Sequence, residues 1–146
     1  MARLCGTEII RQIDFVFFAE KEIRAAVIDA RNRPSGGTTG GSNGHAFISD
    51  PTAMTAMRNT AELKSIVLRS ERKVSYPERW LAVIERTYCA CDDIKKQVAK
   101  RHYQGEHYGR TCRELAITQS TYSYLLNDVR HFAVMCAIQM GLIRVM

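Results

Sequence analysis

Five side chains that can donate or accept hydrogen bonds lie close together near the C-terminal end of the chain. They are Gln119, Ser120, Ser123, Tyr124 and Asn127. If this stretch is a helix, they share one face, because the apolar residues Tyr122, Leu125 or Leu126, and Val129 recur at helical spacing on the other face. None of the five is acidic. Glutamine and asparagine amides can pair with adenine edges, and serine hydroxyls adapt to several bases, so the pattern is typical of a helix that reads DNA in the major groove.

The residues before this stretch predict the element that positions it. A short first helix is expected over residues 108–115, followed by a turn at 116–118 and a second helix from Thr118, whose hydroxyl can cap it. Cys112 is small enough to let the two helices approach closely, and Leu115 and Ile117 can anchor the turn in a core. We therefore predict a helix-turn-helix over residues 108–131. The alternative is an ordinary helical hairpin with a solvated outer surface.

Basic residues just ahead of this motif suggest contacts with a polyanion. On a helix predicted over residues 92–103, four cations are expected to form a basic ridge. Such contacts would set affinity and register without selecting sequence. The candidates for phosphate contact are Lys95, Lys96, Lys100, Arg101, Arg110, Thr118 and Arg130. The alternative for the ridge is a solvated helix face.

Other residue patterns favour neither an enzyme nor a metal site. Cys89 and Cys91, with His102 or His107, lack the spacing of common zinc sites. The pair Asp92 and Asp93 is better explained by the first turn of a helix, where acidic residues oppose the helix dipole. The glycine-rich stretch at residues 34–44 lacks the Gly-Lys-Ser/Thr ending of a phosphate-binding loop. We expect no catalytic residues, no metal and no cofactor.

Length and composition limit the classes of protein to which the chain can belong. The chain has 146 residues, a formal net charge of +6 and 46% hydrophobic residues, which is enough for a folded core. The five cysteines are an odd number, and neither a signal peptide nor a run of about 20 apolar residues is evident. These features predict a cytoplasmic protein with reduced thiols and no membrane contact.

The predicted organisation is all-α: a helical bundle with an N-terminal helical arm. Residues 1–33 contain one helix, over 7–33, whose apolar surface must pack against the body of the protein or against a second copy. Residues 34–49 form a flexible glycine-rich linker, and residues 50–146 form a helical DNA-binding domain. Within that domain, helices are expected from Asp50-Pro51 to about Leu68, over 76–89 with Ser75 and Glu78 as a capping box, and from Thr118 to about Gly141. A further helix is expected over 92–103, with Ile94, Val98 and Tyr103 facing inward. Strand signals are absent.

From Pro77 onward the chain resembles region 4 of bacterial sigma factors, on the residues RTCRELAITQSTYSYLL. The segment GGSNGHAFISDPTAM resembles the glycine-rich stretch and helix start of phage transcriptional activators of the RinA and ArpU type. The resemblance implies a sigma-like helix-turn-helix with the five polar residues as its DNA-reading face. This chain departs from the sigma-factor pattern at Ala116, where the turn usually has glycine.

These features lead to three functional hypotheses. The first is a phage or prophage DNA-binding regulator of late genes that acts on double-stranded promoter DNA with the host RNA polymerase in the bacterial cytoplasm. The second is a Q-like transcription antiterminator. The third is a DNA-packaging protein similar to a small terminase subunit. Homo-oligomerisation through the N-terminal helix is one further expectation.

Overall fold

The computed structural model describes residues 6–33 and 60–144, and this part of the chain is mostly helical. The helices are α1 (Gly6–Phe18), α2 (Glu20–Asn32), α3 (Pro77–Ala90), α4 (Asp93–Tyr103), α5 (Tyr108–Leu115) and α6 (Gln119–Gln139). The strands β1 (Ser65–Val67) and β2 (Lys73–Ser75) form a small antiparallel sheet. The predicted linker and most of the helix predicted from Asp50 lie outside the described residues.

The N-terminal region is two helices, so the prediction of one helix over residues 7–33 is wrong. The helix is interrupted at Ala19, although hydrogen bonds still link Ala19 N–H to the Phe15 carbonyl and Ile23 N–H to the Ala19 carbonyl. The two halves pack on different partners: α1 lies against α4 and α6, whereas α2 lies against α3 and β1. The interruption at Ala19 separates these two sets of contacts. Helical periodicity in the sequence does not reveal which elements each half of the region will contact.

The β-hairpin is the second departure from the predicted fold. Ile66 pairs with Val74, and both are buried while their strand neighbours are exposed. The connecting loop closes with Leu68 N–H donating to the Arg72 carbonyl, and Glu71 adopts a positive φ of 62°. The predicted helix through Leu68 and the expected absence of strands are therefore wrong. The sequence pattern did not indicate this hairpin for two reasons. Exposed and buried residues alternate over only three positions in each strand, and the loop lacks the Asn-Gly signal of a tight hairpin.

The start of α3 also differs from the predicted capping box. Ser75 belongs to β2, and Tyr76 precedes the helix in a left-handed conformation without a side-chain cap. Pro77 does occupy the first turn, as expected. Glu78 instead accepts a hydrogen bond of 2.9 Å from Nε of Arg31, which ties α2 to α3. The carboxylate gains a stronger, charge-assisted partner there than a backbone N–H would offer.

The core is organised around α6, which contacts α1, α3, α4 and α5. Ala133 and Ala137 are fully buried and small, so neighbouring helices can approach α6 closely. A single apolar cluster extends from α1 to the segment after α6. The N-terminal helices therefore pack into the same hydrophobic core as the rest of the described residues. Of the three residues of α4 predicted to face inward, Val98 and Tyr103 are buried as predicted, whereas Ile94 is 38% exposed, so that part of the prediction is wrong.

Candidate nucleic-acid interface

The two-helix unit formed by α5 and α6 has the predicted boundaries. α5 spans Tyr108–Leu115, and Thr118 caps the helix that follows it. Thr118 Oγ1 accepts a hydrogen bond of 3.2 Å from Thr121 N–H, which satisfies one of the unpaired donors at the start of α6. The expectation that these residues form two helices joined by a tight turn is confirmed.

The turn between the helices is a Schellman-type ending. Ala116 adopts a left-handed conformation with φ 53° and ψ 45°. Ile117 N–H donates to the Cys112 carbonyl at 3.0 Å, and Ala116 N–H donates to the Arg113 carbonyl at 3.4 Å. Both bonds satisfy carbonyls that the end of α5 would otherwise leave unpaired. Glycine is usual at the left-handed position, so alanine here carries a conformational cost.

The five predicted polar residues are all exposed on α6, and we call them the polar face: Gln119, Ser120, Ser123, Tyr124 and Asn127. Tyr124 is 67% exposed, whereas Tyr122, Leu125, Leu126 and Val129 on the opposite side are at most 8% exposed. The predicted division of this helix into a buried side and a polar side is confirmed. The side chains of the polar face can therefore reach a ligand without any change in the core.

Asn127 belongs to a chain of hydrogen bonds that continues into the core. Arg130 Nη1 donates to Asn127 Oδ1 at 3.2 Å, and Arg130 Nε and Nη2 donate to the two carboxylate oxygens of Asp14 at 2.8 and 3.1 Å. Tyr103 Oη also donates to Asp14, at 2.7 Å. Burial alone would lower the pKa of Arg130, but the hydrogen bonds and charge of Asp14 raise it. Arg130, predicted to contact phosphate, is thus held against α1 in a partly buried position.

Several other predicted phosphate contacts are paired with carboxylates. Lys95 Nζ lies 2.9 Å from Asp128 Oδ2. Arg110 Nε donates to Glu114 at 3.0 Å, and Arg101 pairs with Glu106 and Glu114. The hydrogen bonds from Arg101 and Arg110 lower the pKa of Glu114. Solvent screens exposed pairs of this kind and leaves them with little net stabilisation, so these cations can exchange a carboxylate for a phosphate at little cost.

The four cations of α4 do not form the predicted ridge. Lys95 faces α6, Arg101 faces α5, and Lys96 and Lys100 line a groove beside α1, α2 and α3. The reason is geometric: with 3.6 residues per turn, four positions spread from 95 to 101 point to several sides of a helix. Only Lys96 and Lys100, one turn apart, share a side.

Arg113 is a cation that the sequence reasoning omitted. It is exposed in the last turn of α5, directly before the turn, and its Nε donates to the Gly109 carbonyl at 3.3 Å. Among the residues that the structure describes, it has no carboxylate partner. Its position at the helix end was readable from the sequence, but its lack of a partner was not.

A cleft of about 310 Å³ adjoins the start of α6. Its lining combines residues from α4, α5 and α6: His102, Glu106, His107, Tyr108, Gln119, Tyr122 and Ser123. The His102 ring nitrogen Nδ1 lies 3.0 Å from Tyr122 Oη, and burial and the charge of Arg130 lower the pKa of His102. The cleft places Gln119 and Ser123 beside an open recess at the start of α6.

No alternative chemical centre is visible in the described ranges. Cys89, Cys91, Cys112 and Cys136 are free thiols there, and no group of three potential metal ligands occurs in residues 6–33 and 60–144. In the same ranges, no helix has the length and apolar character needed to cross a membrane.

Comparison with family models, curated proteins and solved structures finds no match to this chain.

Proposed function

We propose that the protein is a sequence-specific DNA-binding regulator of phage or prophage transcription that acts with the host RNA polymerase. The observation that carries the proposal is the polar face, presented on a capped helix directly after a short helix and a tight turn. This arrangement corresponds to that of helix-turn-helix readers, in which the N-terminal part of the second helix contacts base edges. The resemblance to region 4 of sigma factors supports the same role.

In this mechanism, the N-terminal half of α6 enters the major groove. Gln119, Ser120 and Ser123 contact base edges near the start of the helix, and Tyr124 and Asn127 contact them one turn further on. Arg110 and Arg113 on α5 lie closest to the backbone and bind phosphates, which sets register and affinity. The core residues beneath α6 keep the helix rigid, so that the side chains are already oriented before DNA binds.

The ion pairs around α5 favour a second candidate, a Q-like antiterminator. Glu106 and Glu114 remain beside the cations of α5 even when those cations bind phosphate, and their negative charge reduces the net attraction for DNA, so DNA affinity in isolation would be modest. In that case, polymerase contacts provide the remaining affinity.

The test is binding selection from a random duplex library with the purified full chain, read by sequencing at moderate salt. We expect an enriched motif that is lost in the variant Gln119→Ala/Ser123→Ala and retained in the control Gln139→Ala, an exposed position at the far end of α6. Enrichment only when RNA polymerase is added supports the antiterminator. Absence of a motif under both conditions contradicts both proposals.

A further inference from the structure

An open groove of about 740 Å³ lies at the junction of α1 and α2, and we call it the aromatic groove. Its floor is apolar and buried, formed by Phe17, Ile84 and Tyr103. Residues of α1, α2, α3 and α4 line it, so the groove spans the junction between the two N-terminal helices.

Exposed aromatic surface borders the floor. Phe18 is 52% exposed, and its ring packs edge-on against Tyr103 with centroids 5.1 Å apart. Tyr88 is half-buried and contacts Phe17 in a similar manner at 5.7 Å. A large apolar side chain left exposed beside a concave apolar floor is typical of a surface that binds a partner.

The rim of the aromatic groove is positively charged. Arg24 binds both nearby carboxylates, Glu20 at 3.1 Å and Glu85 at 3.2 Å. Lys21, Lys96 and Lys100 have no carboxylate partner within the described ranges, and Lys100 Nζ lies 5.3 Å from the centre of the Tyr88 ring. The groove therefore combines an apolar floor with an excess of free cations.

We propose that the aromatic groove binds an acidic amphipathic helix of a protein partner. Apolar side chains one turn apart on such a helix would occupy the floor, and its carboxylates would pair with the rim lysines. A nucleic acid fits less well, because the floor of the groove is buried apolar surface, which suits the apolar side chains of a helix better than a charged sugar-phosphate backbone. A second copy of this chain fits less well too, because the chain carries a net charge of +6 and would bring like charges together.

The groove and the polar face are separate surfaces. All lining residues of the groove lie on α1 to α4 or directly after α4, and none lies on α5 or α6. A partner helix and a DNA duplex could therefore bind at the same time. The inference goes beyond the proposed DNA-reading role and does not depend on it.

The test is to pan a display library of random peptides, about 16 residues long to allow four helical turns, on the full-length protein. We expect selected peptides to share Glu and Asp with apolar residues at helical spacing. A fluorescent copy of the strongest binder should lose affinity by at least about tenfold on Lys96→Glu/Lys100→Glu and on Phe18→Ser. The matched control Lys64→Glu/Lys73→Glu changes net charge equally at exposed positions around the hairpin and should leave affinity within about twofold.

Three results would overturn the proposal. The selected peptides show no acidic preference, or their affinity is the same for the Lys96→Glu/Lys100→Glu variant, or a single-stranded oligo-dT displaces the peptide and binds more tightly. Circular dichroism melting of each variant separates lost binding from lost folding. Peptide binding is measured without DNA, so its failure is distinguishable from failure of the DNA selection.

Discussion

Arg130 on α6 binds Asp14 on α1 through two hydrogen bonds, although the residues are 116 positions apart in the sequence. The pair is only partly accessible, with 19% of the Arg130 side chain and 24% of the Asp14 side chain exposed. Tyr103 donates a further hydrogen bond to the same carboxylate. The pair therefore fixes the rotation of α6 relative to α1 and α4, and with it the direction of the polar face.

A double-mutant cycle with Asp14→Asn and Arg130→Gln should show this coupling in urea unfolding. We expect each single variant to lose about 1–3 kcal/mol of stability, because it leaves a partly buried polar group without its charged partner. The double variant should lose less than the sum of the two. The control cycle uses the exposed pair Arg24 and Glu85, with a coupling below about 0.5 kcal/mol. Additive losses at Asp14 and Arg130 would show that the pair is not coupled.

The same arginine determines which end of the Asn127 amide faces outward. A guanidinium can only donate, so Asn127 must direct its oxygen to Arg130 and its NH₂ group away from it. Asn127→Asp keeps the acceptor for Arg130 but replaces the outward donor with a negatively charged oxygen. Given the proposed role, duplex affinity should fall by at least about tenfold, with thermal stability retained.

Gln139→Glu is the matched control for Asn127→Asp, because it introduces the same negative charge at the far end of α6. Fluorescence anisotropy with the selected duplex measures both variants. If Asn127→Asp binds as tightly as the wild type, the amide does not face the DNA.

The distribution of cations predicts which lysines and arginines control the salt dependence of DNA binding. Arg110→Gln and Arg113→Gln should each reduce the slope of log K against log salt by about 1, because each removes a phosphate contact. Lys96→Gln/Lys100→Gln should leave the slope nearly unchanged, because both lysines line the aromatic groove. The measurement is a salt titration of duplex affinity. The reverse pattern would place the DNA backbone on the groove side of α4.

The sequence predicted the elements that are defined by local signals. Thr118 as a cap, the apolar spacing from Tyr122 to Val129, and the small turn residue Ala116 are all readable within a few positions, and α5 and α6 appear where those signals place them. The exposure of the polar face follows from the same spacing. Asp93 lies in the first turn of α4 as predicted, and Asp92 directly precedes that turn and caps it by accepting from Lys95 N–H.

Features that depend on long-range contacts were not predictable in this way. The helix interruption at Ala19 separates α1 and α2, which pack against different elements of the fold. The hairpin buries Ile66 and Val74 in the same core. The pairing of Arg130 with Asp14 also joins distant parts of the chain. The sequence does not show which carboxylate will lie beside a charged residue in the folded chain. It therefore cannot distinguish a cation that is free to bind phosphate from one that forms an ion pair within the protein.

His102 makes stability dependent on pH in the weakly acidic range. Burial and the charge of Arg130 lower its pKa in the folded state, whereas the unfolded chain has the ordinary value of about 6.5. The unfolded state therefore binds the proton first as pH falls, and stability decreases below about pH 6.5. His102→Asn keeps a polar atom near Tyr122 and removes the titration, so it should flatten the decline between about pH 7 and 5. Urea unfolding across this range measures the effect, with the exposed His131→Asn as control; equal slopes for the wild type and His102→Asn would contradict the assignment.

Ala116→Gly should stabilise the protein, in contrast to most alanine-to-glycine changes. The left-handed conformation at φ 53° costs an alanine about 1–2 kcal/mol, which glycine avoids. Glycine also makes the unfolded chain more flexible, which offsets about 0.4–1 kcal/mol of that gain. The midpoints of these two ranges give an expected net increase of about 0.8 kcal/mol in the free energy of unfolding. The control Ala82→Gly lies within α3 and should instead destabilise by about 0.5–1 kcal/mol, because it adds the same flexibility without relieving strain. A loss of stability in Ala116→Gly comparable to the control would mean that the turn between α5 and α6 does not hold Ala116 in the left-handed region.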